Sequence, residues 1–346
     1  MPALKIHRLE PGDLTGACRW DAFVQDCPEG TFFHRAAWLL VIGKVFNHPT
    51  HYLYAERDGA MVGVLPLAQV RSRLFGHSLV SLPFATVAGI AATDEEARLA
   101  LQNEAASLAR TLGVDHLEMR NATVQQPWPT QDLYVDFRMP IPSVLDERML
   151  AIPQKRRNMV RKAIKLGLRA VPDDKVARFF PVFARNARDH GTPTLSRDYF
   201  EALVAHFGRD CRILSIDNAQ GHCISSIMCF FHRGVVMAYY AGETPEARGT
   251  AANDLKYWEV MRFAQAAGCT EFDIGRSKQG TGSYEFKRLW GFKPHQLHYQ
   301  YLLLRRSTVP QNNPTNPKYR LLIATWQRLP MPLANWMGPR IVRSLG

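Results

Sequence analysis

The chain has 346 residues, 46% hydrophobic and 21% charged, with 18 Phe, 11 Tyr and 7 Trp, a composition that excludes extended disorder and leaves room for two domains. No run reaches the roughly 18 apolar residues of a membrane span, and the opening MPALKIHRLEPGDL has no signal-peptide h-region, so the expected location is cytoplasmic. Lys plus Arg is 43 against 31 acids, a net charge of +12. That excess favours anionic partners such as phosphates, nucleotides, RNA, acidic glycans or a lipid surface, with a plain solubility role as the alternative.

In chain order, HYLYAER, the turn Asp58-Gly59 and MVGVLPLAQV read as a β-hairpin, and HSLVSL as a further strand. A helix is predicted from about Asp94 to Leu112, with Thr93 and Glu96 as a capping box. Ala97, Leu101, Ala105, Leu108 and Leu112 form its apolar face, and Gly113 stands where a helix-ending glycine belongs. VDHLEM follows as a strand. NATVQQPWPTQ is a Pro-rich connector, and LYVDFRMPI opens a second half. A basic helix at about Gln154–Leu166 stacks Arg157, Arg161 and Lys165 on one face, with Val160 and Ile164 on another.

The order of the first half then returns. CRILSID, HCISSIMCFF and VVMAYY read as three strands, a helix runs from about Ala252 to Ala267, and TEFDI is a strand beyond Gly268. Ala88-Gly89 and Ala241-Gly242 each close a strand, 24 and 26 residues before Gly113 and Gly268. The expected architecture is therefore a duplicated strand–loop–helix–strand unit, with shared α/β grammar as the alternative. After Arg306, TVPQNNPTNP is a linker, and Lys318–Gly346 carries five Lys/Arg and no acid. That tail fits docking on the protein itself, and otherwise contact with anionic lipid at the inner face of the membrane.

G-x-S-x-G, H-E-x-x-H and G-x-x-x-x-G-K-[ST] are absent. The six cysteines (Cys18, Cys27, Cys211, Cys223, Cys229, Cys269) make no C-x-x-C pair, and no metal site is expected. The informative block is EFDIGRSKQGTGSYEFKRLWGF, residues 271–292. A strand ends in a loop with three glycines, the cations Arg276 and Lys278, and the hydroxyls of Ser277, Thr281 and Ser283. Such a loop suits an anion or a developing oxyanion, and a solvated turn is the plainer reading.

The block YEFKRLWGF resembles the closing motif of the GNAT superfamily. Taken with Tyr239-Tyr240-Ala241-Gly242, Trp258, Phe272-Asp273-Ile274-Gly275 and Phe286-Lys287, the pattern resembles the FemAB family of aminoacyl transferases, built from two tandem GNAT-like domains. The loop wording, with HGTPT at 190–194, resembles the FemAB-like proteins associated with PEP-CTERM/exosortase systems. The resemblance covers roughly residues 5–305 and implies an α/β (mixed α+β) fold of two such domains, 1–132 and 133–306, followed by a linker and basic tail at 307–346. It implies transfer of an acyl or aminoacyl group to an amine of a cell-envelope or exopolysaccharide precursor. No tightly bound cofactor is expected. The donor is acyl-CoA or aminoacyl-tRNA, so tRNA is a candidate partner and DNA is not. An acyl-CoA-dependent N-acyltransferase and a non-catalytic binder of an anionic glycan or nucleotide are the alternatives.

By the same resemblance, Lys287 stabilises the transition state and the Phe286 carbonyl orients the incoming amine. Arg157, Arg161, Tyr239, Tyr240, Asp273, Arg276, Ser277, Lys278, Ser283 and Tyr284 are the candidate substrate-binding residues. Two departures stand out. There is no room for a long helical-hairpin arm, and the acetyl-CoA loop survives only as the degenerate ARGTAA at 247–252.

Overall fold

The protein is described from a computed structural model. It covers residues 3–72, 75–143, 149–173, 175–310 and 320–344. The expected tail residues Lys318 and Leu345 lie outside these, as does most of the linker. The chain divides into two compact units: residues 1–134 with 296–311 and 343–346, and residues 135–295 with 312–342.

The first unit is built on strands β1 (Lys5–Leu9), β2 (Thr50–Arg57), β3 (Ala60–Ser72), β4 (Gly76–Val80), β5 (Ala91–Ala92), β6 (His116–Asn121) and β7 (Thr130–Gln131). It is completed by β16 (His298–Leu303), in the order β1-β2-β3-β4-β6-β16-β7 with β5 on β3. The second unit holds β8 (Tyr134–Pro140), β9 (Arg169–Asp173), β10 (Cys211–Asp217), β11 (Cys223–His232), β12 (Val235–Glu243), β13 (Glu271–Asp273), β14 (Ser277–Lys278) and β15 (Lys293–Gln296). Its order is β14-β8-β13-β12-β11-β10-β9, with β15 on β8.

The two sheets repeat one plan. Three antiparallel steps, β1-β2-β3-β4 and β9-β10-β11-β12, lead to a parallel step, β4 to β6 and β12 to β13. One helix crosses each parallel step, Glu95–Leu112 in the first unit and Ala252–Ala266 in the second. Two helices lie between the first two strands of each: Leu14–Asp26 and Ala37–Phe46, then Val176–Asp189 and Arg197–Phe207. The expected duplication and mixed α/β class are thus present in the topology.

The boundary differs from 132/133 in one respect. The strand that follows β7 in sequence, β8, joins the second sheet beside β13, and the strand that follows that sheet, β16, closes the first between β6 and β7. The expected span 133–306 therefore contributes its last strand to the first unit.

Local differences have simple causes. The N-cap of the Glu95–Leu112 helix is Asp94, which accepts from Ala97 N at 2.9 Å, because Thr93 spends its hydroxyl on the Val62 carbonyl. Ala97, Leu101, Ala105 and Ala109 form its buried face. Ala88-Gly89 does not close a strand: β4 ends at Val80, where Leu82 (φ 54°) and Phe84 (φ 67°) take left-handed backbone. Gly242, by contrast, is a residue of β12. A Cβ there would sit 2.8 Å from Phe183 Cα, so glycine is what lets the Val176–Asp189 helix lie directly on the strand.

The basic tail docks. Its two helices, Arg320–Gln327 and Met331–Val342, bury Trp326, Ala334, Gly338 and Val342, with Gly338 packed against Thr194. Gln327 Nε2 and Arg188 Nη1 bind the carbonyls of Asp189 and Leu329. Leu322 and Trp336 are exposed, and the small Ala334 and Gly338 of the second helix are among its buried residues.

Candidate active site

The second unit carries the informative loop where its parallel strands part. β12 and β13 pair only from Val235↔Glu271 to Met237↔Asp273; β13 then stops while β12 runs on to Glu243. At the same place β12 bulges: Met228 pairs with Tyr240 and Cys229 with Ala238, so Tyr239 is the extra residue. The bulge inverts the side-chain alternation. Val236 and Ala238 belong to the core under the Ala252–Ala266 helix, as does Ala241 beyond the bulge, while Tyr240 turns to the opposite face. There its hydroxyl meets that of Tyr199 at 2.8 Å, and its ring stands edge-on to Phe183 and Phe200. Burial holds the Tyr240 phenol well above its usual pKa, so it serves as a neutral hydrogen-bonding group. Tyr239 lies half-buried against Phe230.

Beyond β13 the chain turns at Gly275 (φ 69°) and reaches a short helix, Gly282–Leu289, capped by Thr281. Asp273, 5% exposed, accepts from the Gly275 N–H at 2.6 Å. Lys287 points inward from the helix. It is 7% exposed, and its Nζ donates to the carbonyls of Gly275 (2.7 Å) and Arg276 (3.1 Å), above the Phe137 ring. Desolvation lowers its pKa to about 8, opposed by Asp136 and Asp273 and reinforced by Arg276. The Gly275–Arg276 turn is thus held through its N–H by Asp273 and through its carbonyls by Lys287.

The other sequence candidates divide. Ser277 is buried and shares a 2.9 Å hydrogen bond with Ser283, tying the loop to the first turn of the helix. Tyr284 packs edge-on to Phe137. Lys278 has its pKa lowered by desolvation and then by Arg276, itself partly exposed. The Phe286 carbonyl accepts from Trp290 N at 3.2 Å inside the helix, which leaves its second lone pair. The Phe286 ring lies under the Arg156 guanidinium, 5.1 Å from its centroid.

The basic helix, Gln154–Lys165, brings Arg156 inward rather than Arg157 or Arg161. Arg156 Nη1 lies 3.2 Å from Asp254 Oδ1, which also accepts from Trp290 Nε1 at 3.0 Å. Arg157 is half-buried, and Arg161 is exposed with its guanidinium on Asn158. Ile164, expected on one face with Val160, is 54% exposed, and the residues buried on this helix are Val160 and Ala163. Arg156, Val160 and Ala163 share one helical face, so the phase of the buried residues identifies the inward arginine. Three further residues have no counterpart among the sequence candidates. Asp136 and Arg138 sit on β8, where the i, i+2 charges of VDFRM mark one polar face of a buried strand. Lys256 is 1% exposed, its Nζ on Ser225 Oγ at 2.9 Å, and burial lowers its pKa to about 8.

The degenerate loop at 247–252 leads into the Ala252–Ala266 helix through Ala251, whose φ is 61°. The helix has no side-chain cap, although Thr250 Oγ1 accepts from Ala252 N at 3.3 Å. The first-turn N–H groups of such a terminus favour an anion.

The fold that these features define is the GNAT fold in tandem. Residues 154–288 match the family described as Acetyltransferase (GNAT) domain, a span that contains the strand splay, the loop and Lys287. Among solved structures, FemX is similar at 14% identity and a TM-score of 0.67, over 92% of this chain and 100% of that one. L-PGS from Bacillus licheniformis is similar at 12% identity and 0.57, over 90% and 97%. A tandem GNAT protein from the clavulanic acid biosynthesis pathway gives 13% and 0.54, over 88% and 100%. No curated protein sequence matches the chain. Among the described residues no helix is long and apolar enough to cross a membrane.

Proposed function

We propose that this protein transfers an acyl or aminoacyl group from an activated carrier to an amine of a cell-envelope or exopolysaccharide precursor, and that its second unit performs the chemistry. The observation that carries this reading is the buried Lys287 ammonium, fixed on the Gly275–Arg276 turn where β12 and β13 part. The amine attacks the carrier's carbonyl carbon, and the electron pair moves onto the carbonyl oxygen. Collapse expels the carrier thiolate or alkoxide, which takes up the proton lost by the amine. Two of the three Lys287 N–H groups are spent on the turn, and the third is the donor for the oxyanion. The low-dielectric setting strengthens that interaction, and the rigid turn removes the need to reorganise at the moment of reaction.

The likeness to FemX and L-PGS favours an aminoacyl donor. The Ala252 helix terminus equally suits the pyrophosphate of an acyl-CoA. Both donors are therefore to be offered to the purified full chain with an amine-bearing envelope precursor, and the product followed by mass spectrometry. Transfer from one donor selects it; transfer from neither sinks the proposal. Peripheral membrane contact would use Leu322, Leu333 and Trp336, exposed on the docked tail. Co-sedimentation with anionic liposomes, compared with a 1–306 truncation, tests it.

A further inference from the structure

Asp136 on β8 and Asp273 on β13 occupy the sheet face opposite the core that holds Phe137 and Phe272. Asp136 is 1% exposed and Asp273 5%. Arg138 Nε lies 2.8 Å from Asp136 Oδ2 and 3.5 Å from Asp273 Oδ2, and its guanidinium also reaches Glu271 at 3.2 Å. The Gly275 N–H supplies Asp273 Oδ1. One oxygen is left over: Asp136 Oδ1 is buried with no donor. Both carboxyls crowd the same Arg138 Nε, and the Asp273 carboxyl also lies within hydrogen-bonding reach of the Asp136 carboxyl. Two ionised carboxylates cannot satisfy each other, because both only accept. A proton between them fills the vacant acceptor and removes the repulsion at once.

We propose that Asp136 and Asp273 share one proton, carried by Asp273 and donated to Asp136 Oδ1, and that this acid–carboxylate pair holds the Gly275–Arg276 turn in place beneath Lys287. Desolvation and the Asp136 charge raise the Asp273 pKa well above the usual carboxylate range, in agreement. The facing charges are Arg138 on β8, Glu271 on β13, Arg276 in the turn and Lys287 on the Gly282–Leu289 helix. The other strands on β8 carry Lys278 (β14) and Lys293 and His295 (β15). Losing the shared proton adds a second negative charge, which draws the Lys287 ammonium off the two carbonyls and loosens the turn. Proton sharing stands by itself; its bearing on transfer rests on the reading of Lys287 given above.

Asp273→Asn is the decisive variant, since its amide donates to Asp136 Oδ1 while its carbonyl still accepts from Gly275. Infrared difference spectra of the full chain at pH 7 are expected to show a protonated-carboxyl stretch that disappears in Asp273→Asn. The folded state keeps a proton that the unfolded chain releases above about pH 4. Wild-type stability relative to the variant therefore falls as pH rises from 5 to 7.5, read as diverging urea midpoints. No such stretch together with parallel midpoints overturns the proposal. If Asp273→Asn does not fold, Asp136→Asn must lose the same band, and a surviving band overturns the pairing. Once a donor is known, the alkaline limb of kcat must shift in Asp273→Asn. An unmoved limb with the band present overturns the turn-holding role alone and leaves the reading of Lys287 standing.

Discussion

The two parallel strand pairs, β4/β6 and β12/β13, occupy the same place in the same topology and are finished in opposite ways. In the first unit the ground beyond the pairing is filled. Ser81 N binds the Glu118 carbonyl, Ala88 and Gly89 N–H groups bind the Arg120 carbonyl, and Arg120 reaches back to the carbonyls of Leu82 and Ala85. Asn121 donates to Gln126 (2.7 Å) and to Gln300 (2.9 Å), a buried amide cluster closed by a residue of β16. In the second unit β12 bulges at Tyr239, and a glycine-rich turn is tied down by Asp273 and Lys287. Duplication accounts for the scaffold; the bulge at Tyr239 and the turn held by Asp273 and Lys287 are features of the second copy.

The sharpest way to break that contrast is at Lys287. If it donates to the oxyanion, Lys287→Met is expected to lower kcat by roughly 10²–10³, about 2.7–4 kcal/mol. Lys278→Met, on β14 ahead of that helix, is expected to cost far less, and equal losses in the two variants would end the special role of Lys287. The methionine also leaves the Gly275 and Arg276 carbonyls without their donor, so a stability loss of about 1–3 kcal/mol is expected in urea melts.

The next largest effect belongs to the filled copy. His34 Nε2 lies 2.9 Å from the Gly89 carbonyl, which only accepts, while Nδ1 accepts from Thr31 N, and this fixes the neutral tautomer. Desolvation lowers its pKa to about 4. Between pH 6.5 and 4 the unfolded chain therefore binds the proton that the folded chain refuses, and stability falls as pH falls. The full loss is about 3 kcal/mol. His34→Gln should flatten this acid slope; equal slopes would show that Gly89 is held by other means.

Smaller still is the cost of a methyl group at the close approach in the second unit. Gly242→Ala places Cβ 2.8 Å from Phe183 Cα and 2.9 Å from the Val182 carbonyl, both backbone atoms, so the helix must shift. A loss of about 1–3 kcal/mol is expected, and an unchanged Tm would contradict the packing described. At the low end, Arg161→Glu should change stability by no more than about 0.5 kcal/mol, since the residue is exposed. A substrate anion bound there would instead appear as a raised KM with a flatter salt dependence.

What the sequence disclosed follows from how local each signal is. The Asp58-Gly59 hairpin (φ 52° and 77°), Gly113 after its helix and the repeated strand–helix–strand order depend on neighbours in sequence, and each was legible. The helices at 14–26, 37–46, 176–189 and 197–207 have no counterpart among the predicted elements, although Asp13 and Ser196 cap two of them and Gly208 ends one. Lys287 and Asp273 came from a motif, but their partnership with Asp136 and Arg138 did not. It depends on β8 lying beside β13, a long-range pairing with no local trace. The same limit applies to Arg157 and Arg161, chosen for their spacing, when Arg156 is the arginine that shares a face with Val160.

The exchange of β8 and β16 bears on how this protein is made. As the chain leaves the ribosome, β6 emerges with its outer edge open, and Gln300, which closes the cluster at Asn121, follows only 179 residues later. Such a contact is costly in loop entropy and slow to form. Until then the first unit presents an unpaired strand edge, a template for joining other nascent chains. A fragment cut at residue 132 would keep that edge open permanently, so the first half is expected to aggregate when produced alone and to become soluble only when β16 is supplied.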